Sequence, residues 1–321
     1  MQAEAREWFA ARTSAAADWP LTDLLAAKGD QKVDVILPAQ DEAATVGKIV
    51  AEVRAQLMQP TCGLVDTLVV VDSGSVDETA EVAAAAGARV ASIHEVLPDI
   101  PARDGKGEAM WRGLAATSGD LVVFVDADLR SFTAEYVMGL LGPLLLVDDV
   151  QLVKAVYDRP LITEQTRIAA GGGRVTEIMA RPLINALWPE LAGVAQPLSG
   201  EYAARRTLLE SLTFPCGYGV EIGVLVDTYE RYGLAGIAQV DLGQRQHEHQ
   251  DASQLSRMSA QVLHAALTRI DAAGKVYAAP EQVTLPSFSH DEAGFGLSVN
   301  NVQTSERPPL RSLGAYRDRT R

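Results

Sequence analysis

Short runs of β-branched and other apolar residues alternate with alanine-rich segments of helical period between Val33 and about Asp128. Parallel strands need a long crossover, usually a helix, so this alternation is typical of a parallel sheet flanked by helices. The predicted strands are 33–38, 65–72, 88–93 and 120–126, and the predicted helices are 44–57, 78–87 and 106–119. We therefore predict an α/β fold built on a mostly parallel sheet.

The second half of the chain has longer helical segments and fewer strands. Its pattern predicts a helix at 134–146, a strand at 150–157 and, after a glycine-rich loop, helices near 175–187, 219–232 and 253–273. From about Gly274 the chain is rich in Pro, Ser and charged residues, which predicts extended arms and partial disorder.

The overall charge restricts the classes of ligand. The 321 residues are 47% hydrophobic and carry a formal net charge of -14, so the chain can bury a core but lacks the excess of Lys and Arg that nonspecific nucleic-acid binding requires. An anionic substrate would have to be held by local cations or by a metal ion.

The sequence shows neither a disulfide framework nor a membrane segment. Cys62 and Cys216 lie far apart and have no metal-ligand spacing. The N-terminus is charged where a signal peptide would be apolar, and the longest apolar run, 138–147, is too short to span a bilayer. We therefore expect a cytoplasmic protein without a membrane anchor.

Acidic and polar residues follow three predicted strands, at 38–42 (PAQDE), 72–78 (DSGSVDE) and 126–130 (DADLR). The carboxyl ends of parallel strands meet at one edge of the sheet, where ligands bind in such folds. In extended backbone Asp126 and Asp128 face the same side, so both can approach one divalent cation, or one can hold a metal and the other a sugar hydroxyl. The alternative is that they cap the next helix.

The two other strand ends leave similar alternatives. Asp72 or Ser73 is a candidate nucleotide contact, while Ser75 and Glu78 match a capping box for the following helix. Glu42 is a candidate base or ribose contact, or simply part of a helix start.

Two cations lie beside glycines. Lys106, between two glycines at a predicted helix start, could meet phosphate oxygens together with backbone N–H groups, or could be a solvated loop lysine. In 169–177 (AAGGGRVTE) three glycines precede Arg174 and Thr176, a combination that suits an anion cradle for a phosphate or carboxylate. A flexible hinge is the alternative for that segment.

Three further residues are candidates with weaker signals. His247 and His249 are two apart, so one imidazole could reach a metal, although a lone histidine is more often structural or solvated. Glu221 lies near a predicted helix start, where it could recognise a sugar hydroxyl or cap the helix.

Taken in order, seven segments together resemble a GT-A glycosyltransferase, and the later ones closely resemble the actinobacterial glucosyl-3-phosphoglycerate synthases. The segments are VILPAQDEAATVG, VVVDSGSVDETAE, GKGEA, VVFVDADL, GGGRVTE, QPLSGEYAARR and GYGVEIG. The resemblance covers roughly Trp19 to Leu267. The DxD pair alone is a weak signal, whereas the whole set in this order is specific.

The resemblance implies a Rossmann-like GT-A core that binds a nucleotide sugar, with a mainly helical acceptor-binding C-terminal part. The implied reaction is a retaining transfer of glucose from UDP-glucose to the 2-hydroxyl of D-3-phosphoglycerate by a homodimer, with Mg²⁺, or Mn²⁺ or Co²⁺ in its place. It is the first step toward glucosylglycerate and methylglucose lipopolysaccharides. The chain would divide into an N-terminal helical arm (1–32), the core (33–157), the acceptor-binding part (158–273) and a partly disordered C-terminal arm (274–321).

The resemblance also implies roles for individual residues. The uridine diphosphate part would be held by Pro38, Ala39, Glu42, Ser73, Lys106 and Asp126. Phosphoglycerate would be held by Gly173, Arg174, Thr176 and Tyr218. Asp128 and His247 would ligate the metal, and Glu221 and the backbone of Leu198 would face the glucose. The implied catalytic set is therefore Lys106, Asp128, Glu221 and Leu198.

One segment departs from the family pattern. Where family members read His-Arg-Asn-Arg, this chain has His247, Glu248, His249 and Gln250, so two cations are missing. Either the acceptor is held less by charge here, or its identity has changed. Four other functions stay open at this point: a mannosyl-3-phosphoglycerate synthase using GDP-mannose, a polyprenyl-phosphate glycosyltransferase, a nucleotidyltransferase, and a non-catalytic nucleotide-sugar-binding regulatory protein.

Overall fold

The computed structural model describes residues 1–158, 161–162, 167–168, 173–244, 252–274, 283–291 and 294–302. In chain order its first elements are α1 (Ala3–Arg12), β1 (Thr13–Ala15), α2 (Leu21–Lys28), β2 (Val33–Ala39), α3 (Val46–Leu57), β3 (Thr67–Asp72), α4 (Thr79–Ala86), β4 (Arg89–Ser92), α5 (Lys106–Ala115), β5 (Leu121–Phe124), α6 (Ala134–Leu146) and β6 (Leu152–Asp158).

The remaining elements are β7 (Leu161–Ile162), β8 (Arg167–Ile168), a π-helical segment (Thr176–Ala180), α7 (Arg181–Leu187), β9 (Tyr202–Arg205), α8 (Arg206–Leu209), α9 (Val220–Tyr232), β10 (Ile237–Gln244), α10 (Ala252–Ala272), β11 (Val283–Asp291) and β12 (Gly294–Val302). Short 3₁₀ segments lie at Ala16–Asp18, Pro189–Gly193 and Leu234–Gly236.

The described strands include an eight-stranded sheet in the order β1-β10-β6-β9-β5-β2-β3-β4. Its pairings are parallel except for the two that β9 makes, with β5 and with β6. The α/β class and the mostly parallel sheet are therefore confirmed.

Strand β2 shows why the sheet needs helices on both faces. Val33, Val35 and Leu37 are fully buried on one face, with α2, α3 and α6, whereas Ile36 is fully buried on the other, with α5 and α9. Successive side chains of a strand point to opposite faces, so a strand that is apolar at nearly every position must be covered twice.

The predicted helices and strands up to residue 157 are confirmed to within a few residues, and helix 134–146 is found with the same bounds. The structure adds strands that the pattern did not predict, because β1, β9 and β10 are short or carry polar residues. The arm at 1–32 is therefore not only helical, since β1 pairs with β10 at the edge of the sheet.

The division at residue 157 remains a functional prediction, since the sheet continues across it through β9 and β10.

Part of the tail that composition predicts as partly disordered forms an antiparallel hairpin, β11 with β12. Phe288 and Phe295 of this hairpin lie 5.5 and 5.7 Å, ring centre to ring centre, from Phe9 of α1. The guanidinium of Arg181 on α7 stacks 4.6 Å from the ring centre of Phe288. Aromatic and cation–π contacts therefore hold the hairpin on the body of the protein.

Candidate active site

The ends of β2, β3 and β5 lie side by side, because the three strands are neighbours and parallel. Pairing between β2 and β5 ends at Ile36, whose carbonyl accepts a hydrogen bond of 3.1 Å from the N–H of Val125. Pro38 lies beyond that point, so its missing N–H removes no bond to β5. The β2 and β5 chains therefore separate here, and Pro38 and Ala39 line the resulting edge.

The loops after β2 and β3 are bonded to each other. Asp41 donates its N–H to Ser75 Oγ (3.0 Å) and accepts from the N–H of Val76 (2.8 Å), while the N–H of Glu42 donates to Thr79 Oγ1 (2.7 Å). Asp41 adopts a left-handed φ of 59°, which a short polar side chain tolerates best. These bonds fix the two strand-end loops as one edge.

This cross-bonding explains why the predicted capping box is wrong. Helix α4 begins at Thr79 with Glu78 at the N-cap and no side-chain cap of the box type. The hydroxyl of Ser75 serves the neighbouring loop, and Asp77 Oδ1 accepts from the N–H of Thr79 at 3.0 Å instead.

The residues implied for the nucleotide lie at this edge. Pro38 and Ala39 are the last two residues of β2, and the N–H of Ser73 donates to the Ala39 carbonyl at 2.9 Å. Glu42 is half-buried in the first loop. The carboxylate of Asp72 accepts from the N–H of Gly74 at 3.2 Å, so it shapes the second loop instead of facing outward.

Lys106, Asp126 and Glu221 form a buried charge cluster. The ammonium of Lys106 lies 2.5 Å from Asp126 Oδ1 and 2.9 Å from Glu221 Oε1, and the Glu221 side chain is only 4% exposed. Burial alone would lower the pKa of Lys106, but attraction to Asp126 and then to Glu221 raises its pKa well above the usual value. Lys106 is therefore a fixed cation in the site.

The alternatives weighed for these residues are wrong. Lys106 is not a solvated loop lysine, because its side chain is 18% exposed and doubly paired. Helix α9 begins after Gly219 without a side-chain cap, so Glu221 does not cap it. The helix after the DxD segment begins at Ala134 with Thr133 at its N-cap and no side-chain cap, so neither aspartate caps it.

Glycines explain how these side chains converge. A Cβ on Gly107 would collide with the carbonyl oxygen of Pro215, and the N–H of Glu108 donates to the carbonyl of Cys216 at 2.9 Å. The start of α5 can therefore lie directly against residues 215–217, just before α9. A Cβ on Gly200 would collide with Lys106 Nζ and the Asp126 carboxylate, so a side chain there would displace the buried ion pair.

Asp128 lies in the turn that follows β5. The hydroxyl of Thr45 donates to the carbonyl of Ala127 at 2.6 Å and fixes this turn, and Asp128 is half-buried there. Within the described ranges, no three His, Cys, Asp or Glu side chains come together as a metal site. The second implied ligand, His247, lies with His249 in 245–251, outside the described residues.

The residues implied for the acceptor lie around the π-helical segment and α10. Gly173 has a φ of +70° and its carbonyl accepts from the N–H of Glu177 at 3.0 Å. Arg174 is exposed, whereas Thr176 is only 6% exposed. Tyr218 is 37% exposed, and its N–H donates to Gln261 Oε1 of α10 at 2.8 Å.

Sequence reasoning missed a second buried layer beneath the charge cluster. Lys154 Nζ donates to the Ser199 carbonyl at 2.6 Å and lies 4.7 Å from the ring centre of Tyr202. Burial lowers the pKa of Lys154 to about 7, against the attraction of Glu221. A lysine in the middle of the apolar run VQLVKAVY was the signal that could have found it.

Comparison with known proteins agrees with this geometry. The Glycosyl transferase family 2 model matches residues 34–138, which contain β2 to β5 and their loops. The glucosyl-3-phosphoglycerate synthase of Mycolicibacterium smegmatis is 49% identical over 295 residues, covering 92% of this chain and 94% of that protein. The chain belongs to the glucosyl-3-phosphoglycerate synthase family.

Solved structures of this family have the same fold. The Mycobacterium tuberculosis glucosyl-3-phosphoglycerate synthase in complex with Mn²⁺, uridine-diphosphate-glucose and phosphoglyceric acid matches with a TM-score of 0.73 and 45% identity, covering 92% of this chain and 95% of that one. Its complex with Mg²⁺ and uridine-diphosphate matches with a TM-score of 0.74 and 44% identity, over 94% and 98%. The GT-A fold is therefore confirmed. None of the described helices combines the length and apolar character that crossing a membrane requires.

Proposed function

We propose that this chain transfers glucose from UDP-glucose to the 2-hydroxyl of D-3-phosphoglycerate, with retention at the anomeric carbon. The observation that carries this proposal is the buried cluster of Lys106, Asp126 and Glu221 at the strand ends of a chain from this family. The family member crystallised with uridine-diphosphate-glucose and phosphoglyceric acid holds both substrates of this reaction.

The donor is held by the edge of the sheet. Pro38 and Ala39 at the end of β2, together with Glu42 and Ser73 on the two cross-bonded loops, receive the uridine part, with Asp126 beside them. Since hydrogen bonds from backbone N–H groups to side-chain oxygens already fix these loops, binding of the uridine part would require little further ordering.

The protein groups near the proposed diphosphate site suit a divalent cation that prefers oxygen ligands. Asp128 is a half-buried carboxylate at the strand-end edge, and Mg²⁺ typically takes one or two carboxylates together with substrate phosphate oxygens. Asp128 and His247 would hold the ion, and Mg²⁺, Mn²⁺ or Co²⁺ would serve. When bound, the cation neutralises charge on the diphosphate.

Lys106 supplies the protein's own cation for the leaving group. In the transfer, the bond from the anomeric carbon to the β-phosphate oxygen breaks, and a bond from the acceptor oxygen to that carbon forms. The proton of the acceptor hydroxyl passes to the departing phosphate. Lys106 stays charged because of its pairs with Asp126 and Glu221, so it can stabilise the developing negative charge.

The acceptor is positioned by the start of the π-helical segment and by Tyr218, whose backbone is bonded to α10. Arg174 provides a planar cation for the phosphate or carboxylate of 3-phosphoglycerate, with the Gly173 backbone, Thr176 and Tyr218 around it. Glu221 and the backbone of Leu198 face the glucose. No carboxylate is required as a covalent nucleophile, so orientation of the two substrates dominates the rate.

The proposal also includes the cellular compartment and the oligomeric state. We place the enzyme in the cytoplasm, because Cys62 and Cys216 are both free thiols, as a reducing compartment favours. We propose a homodimer, with the C-terminal helices and arm as contributors to its interface.

The test compares donors side by side. The protein is incubated with 3-phosphoglycerate and Mg²⁺, with UDP-glucose in one reaction and GDP-mannose in another, and each is repeated after addition of EDTA. We expect metal-dependent release of UDP and a glucosylated product. Preference for GDP-mannose would establish a mannosyl-3-phosphoglycerate synthase instead, and UDP-glucose binding without turnover would establish a regulatory protein.

A further inference from the structure

Two buried polar side chains of β6 lie directly behind the site, and the reaction described above uses neither. Lys154 and Tyr157 are each only 1% exposed. Lys154 lies opposite Tyr202 of β9 in the antiparallel register. A buried ammonium costs free energy unless it is paired, so the groups that it holds are informative.

Both side chains hold one turn, residues 196–201, which we call the 196–201 turn. Lys154 Nζ donates to the Ser199 carbonyl at 2.6 Å. The hydroxyl of Tyr157 donates to Glu201 Oε2 at 2.6 Å and lies 3.1 Å from Ser199 Oγ. The side-chain amide of Gln196 donates to the Tyr157 carbonyl, so the turn is fastened at its start, middle and end.

The 196–201 turn packs directly against the charge cluster of Lys106, Asp126 and Glu221. Gly200 lies so close to Lys106 and Asp126 that a Cβ there would collide with both. Leu198, two residues earlier, is half-buried on the same turn. A shift of the turn therefore changes the position of the Leu198 backbone and the packing behind the ion pair together.

We propose that Lys154 and Tyr157 are positioning residues of the transfer: they hold the 196–201 turn so that the Leu198 backbone faces the glucose next to Lys106. This inference rests on the proposed function, because that function supplies the sugar. The loops after β2 and β3, which are proposed to hold the uridine, are fixed by hydrogen bonds that involve neither Lys154 nor Tyr157. Loss of either side chain should therefore affect the sugar more than the uridine.

The experiment measures kcat and two dissociation constants, for UDP and for UDP-glucose, with Mg²⁺ present. The variants are Tyr157→Phe, which removes one oxygen, and Lys154→Met. Lys28→Met is the matched control, because Lys28 is also buried, donates to a backbone carbonyl (Gly63, 2.6 Å) and pairs with Asp66 (2.7 Å). Lys28 is the last residue of α2, and its partners Gly63 and Asp66 precede β3, at the end opposite to the site.

We expect both β6 variants to lower kcat about 10- to 100-fold, as a small misplacement of reacting groups does. They should raise the dissociation constant of UDP-glucose more than that of UDP, because UDP lacks the sugar that the Leu198 backbone faces, whereas Lys28→Met keeps the wild-type values of all three. Wild-type kcat and UDP-glucose affinity in Tyr157→Phe would overturn the inference, even if Lys154→Met did not fold. Equal losses in Lys28→Met would also overturn it.

Failure of the proposed function gives a different result. In that case the wild type would bind UDP-glucose and release no product with 3-phosphoglycerate. The dissociation constants of UDP and UDP-glucose in the variants would still show whether Lys154 and Tyr157 support the part of the site that holds the sugar.

Discussion

At the scale of single residues, the site depends on how buried charges are paired. Lys106 lies between two carboxylates, and the attraction to Asp126 and Glu221 outweighs the burial that opposes its charge. A cation held in place before the substrate arrives needs no reorganisation when the diphosphate departs.

Replacing this cation tests its role. We expect Lys106→Met to lower kcat at least about 100-fold, the scale seen when one preorganised donor is removed from a developing charge. Lys32→Met is the control, because Lys32 is 65% exposed and pairs with Asp66 away from the site. Steady-state kinetics give the comparison, and a kcat near that of wild type would remove Lys106 from the mechanism.

Replacing Arg174 should change the KM of only one of the two substrates. Arg174→Ala should raise the KM for 3-phosphoglycerate about 10-fold or more, since a charge-assisted pair with a phosphate or carboxylate is lost, and should leave the KM for UDP-glucose unchanged. Arg12→Ala, which breaks only a surface pair with Asp149, serves as the control. An unchanged acceptor KM would show that Arg174 does not hold the acceptor.

At the scale of elements, close packing of α5 against residues 215–217 brings the charges together. Gly107 allows this approach, because any side chain there meets the Pro215 carbonyl. Gly107→Ala should therefore lower the free energy of unfolding by about 1–3 kcal/mol through overpacking, and lower kcat with it. Gly296→Ala, whose Cβ would make only an ordinary 3.8 Å contact, is the control for urea denaturation. Equal stability of the two variants would contradict the packing argument.

The same scale shows what the sequence could predict. Strands β2 to β5 and their helices have clear local periods, so they and the strand-end edge were predictable. Strands β9 and β10 carry YAAR and IAQVDLGQ, which lack a clear alternation, and they become strands only because the neighbouring strands offer paired edges.

The DxD and glycine segments pointed to the right neighbourhood of the site. They did not reveal that Glu221 pairs with Lys106 or that Lys154 and Tyr157 lie beneath, because those contacts join residues far apart in sequence.

At the scale of the whole molecule, the chain has a net charge of -14, so the two anionic substrates of the proposed reaction would be bound by a few locally placed cations. One consequence concerns stability. The folded pKa of Lys154 is about 7 against 10.5 unfolded, so between these values the unfolded chain binds more protons and the free energy of unfolding rises with pH. Lys106 has a raised pKa, so its contribution changes only above 10.5.

Urea denaturation from pH 7 to 9 should therefore show the free energy of unfolding of wild type rising relative to that of Lys154→Met. The charged or titratable groups that face Lys154 are Lys106, Asp126, Tyr157, Glu201, Tyr202 and Glu221. Both proteins contain these groups, so the difference between the two curves isolates Lys154. Parallel curves would contradict the assignment.

The proposed reaction is a retaining glucosyl transfer to the 2-hydroxyl of 3-phosphoglycerate. The most direct measurement is NMR of the product made from UDP-glucose, 3-phosphoglycerate and Mg²⁺. We expect an α-linked glucose whose anomeric proton correlates with the second carbon of the glycerate. A β-linked sugar, a linkage at another position or the absence of product would contradict it.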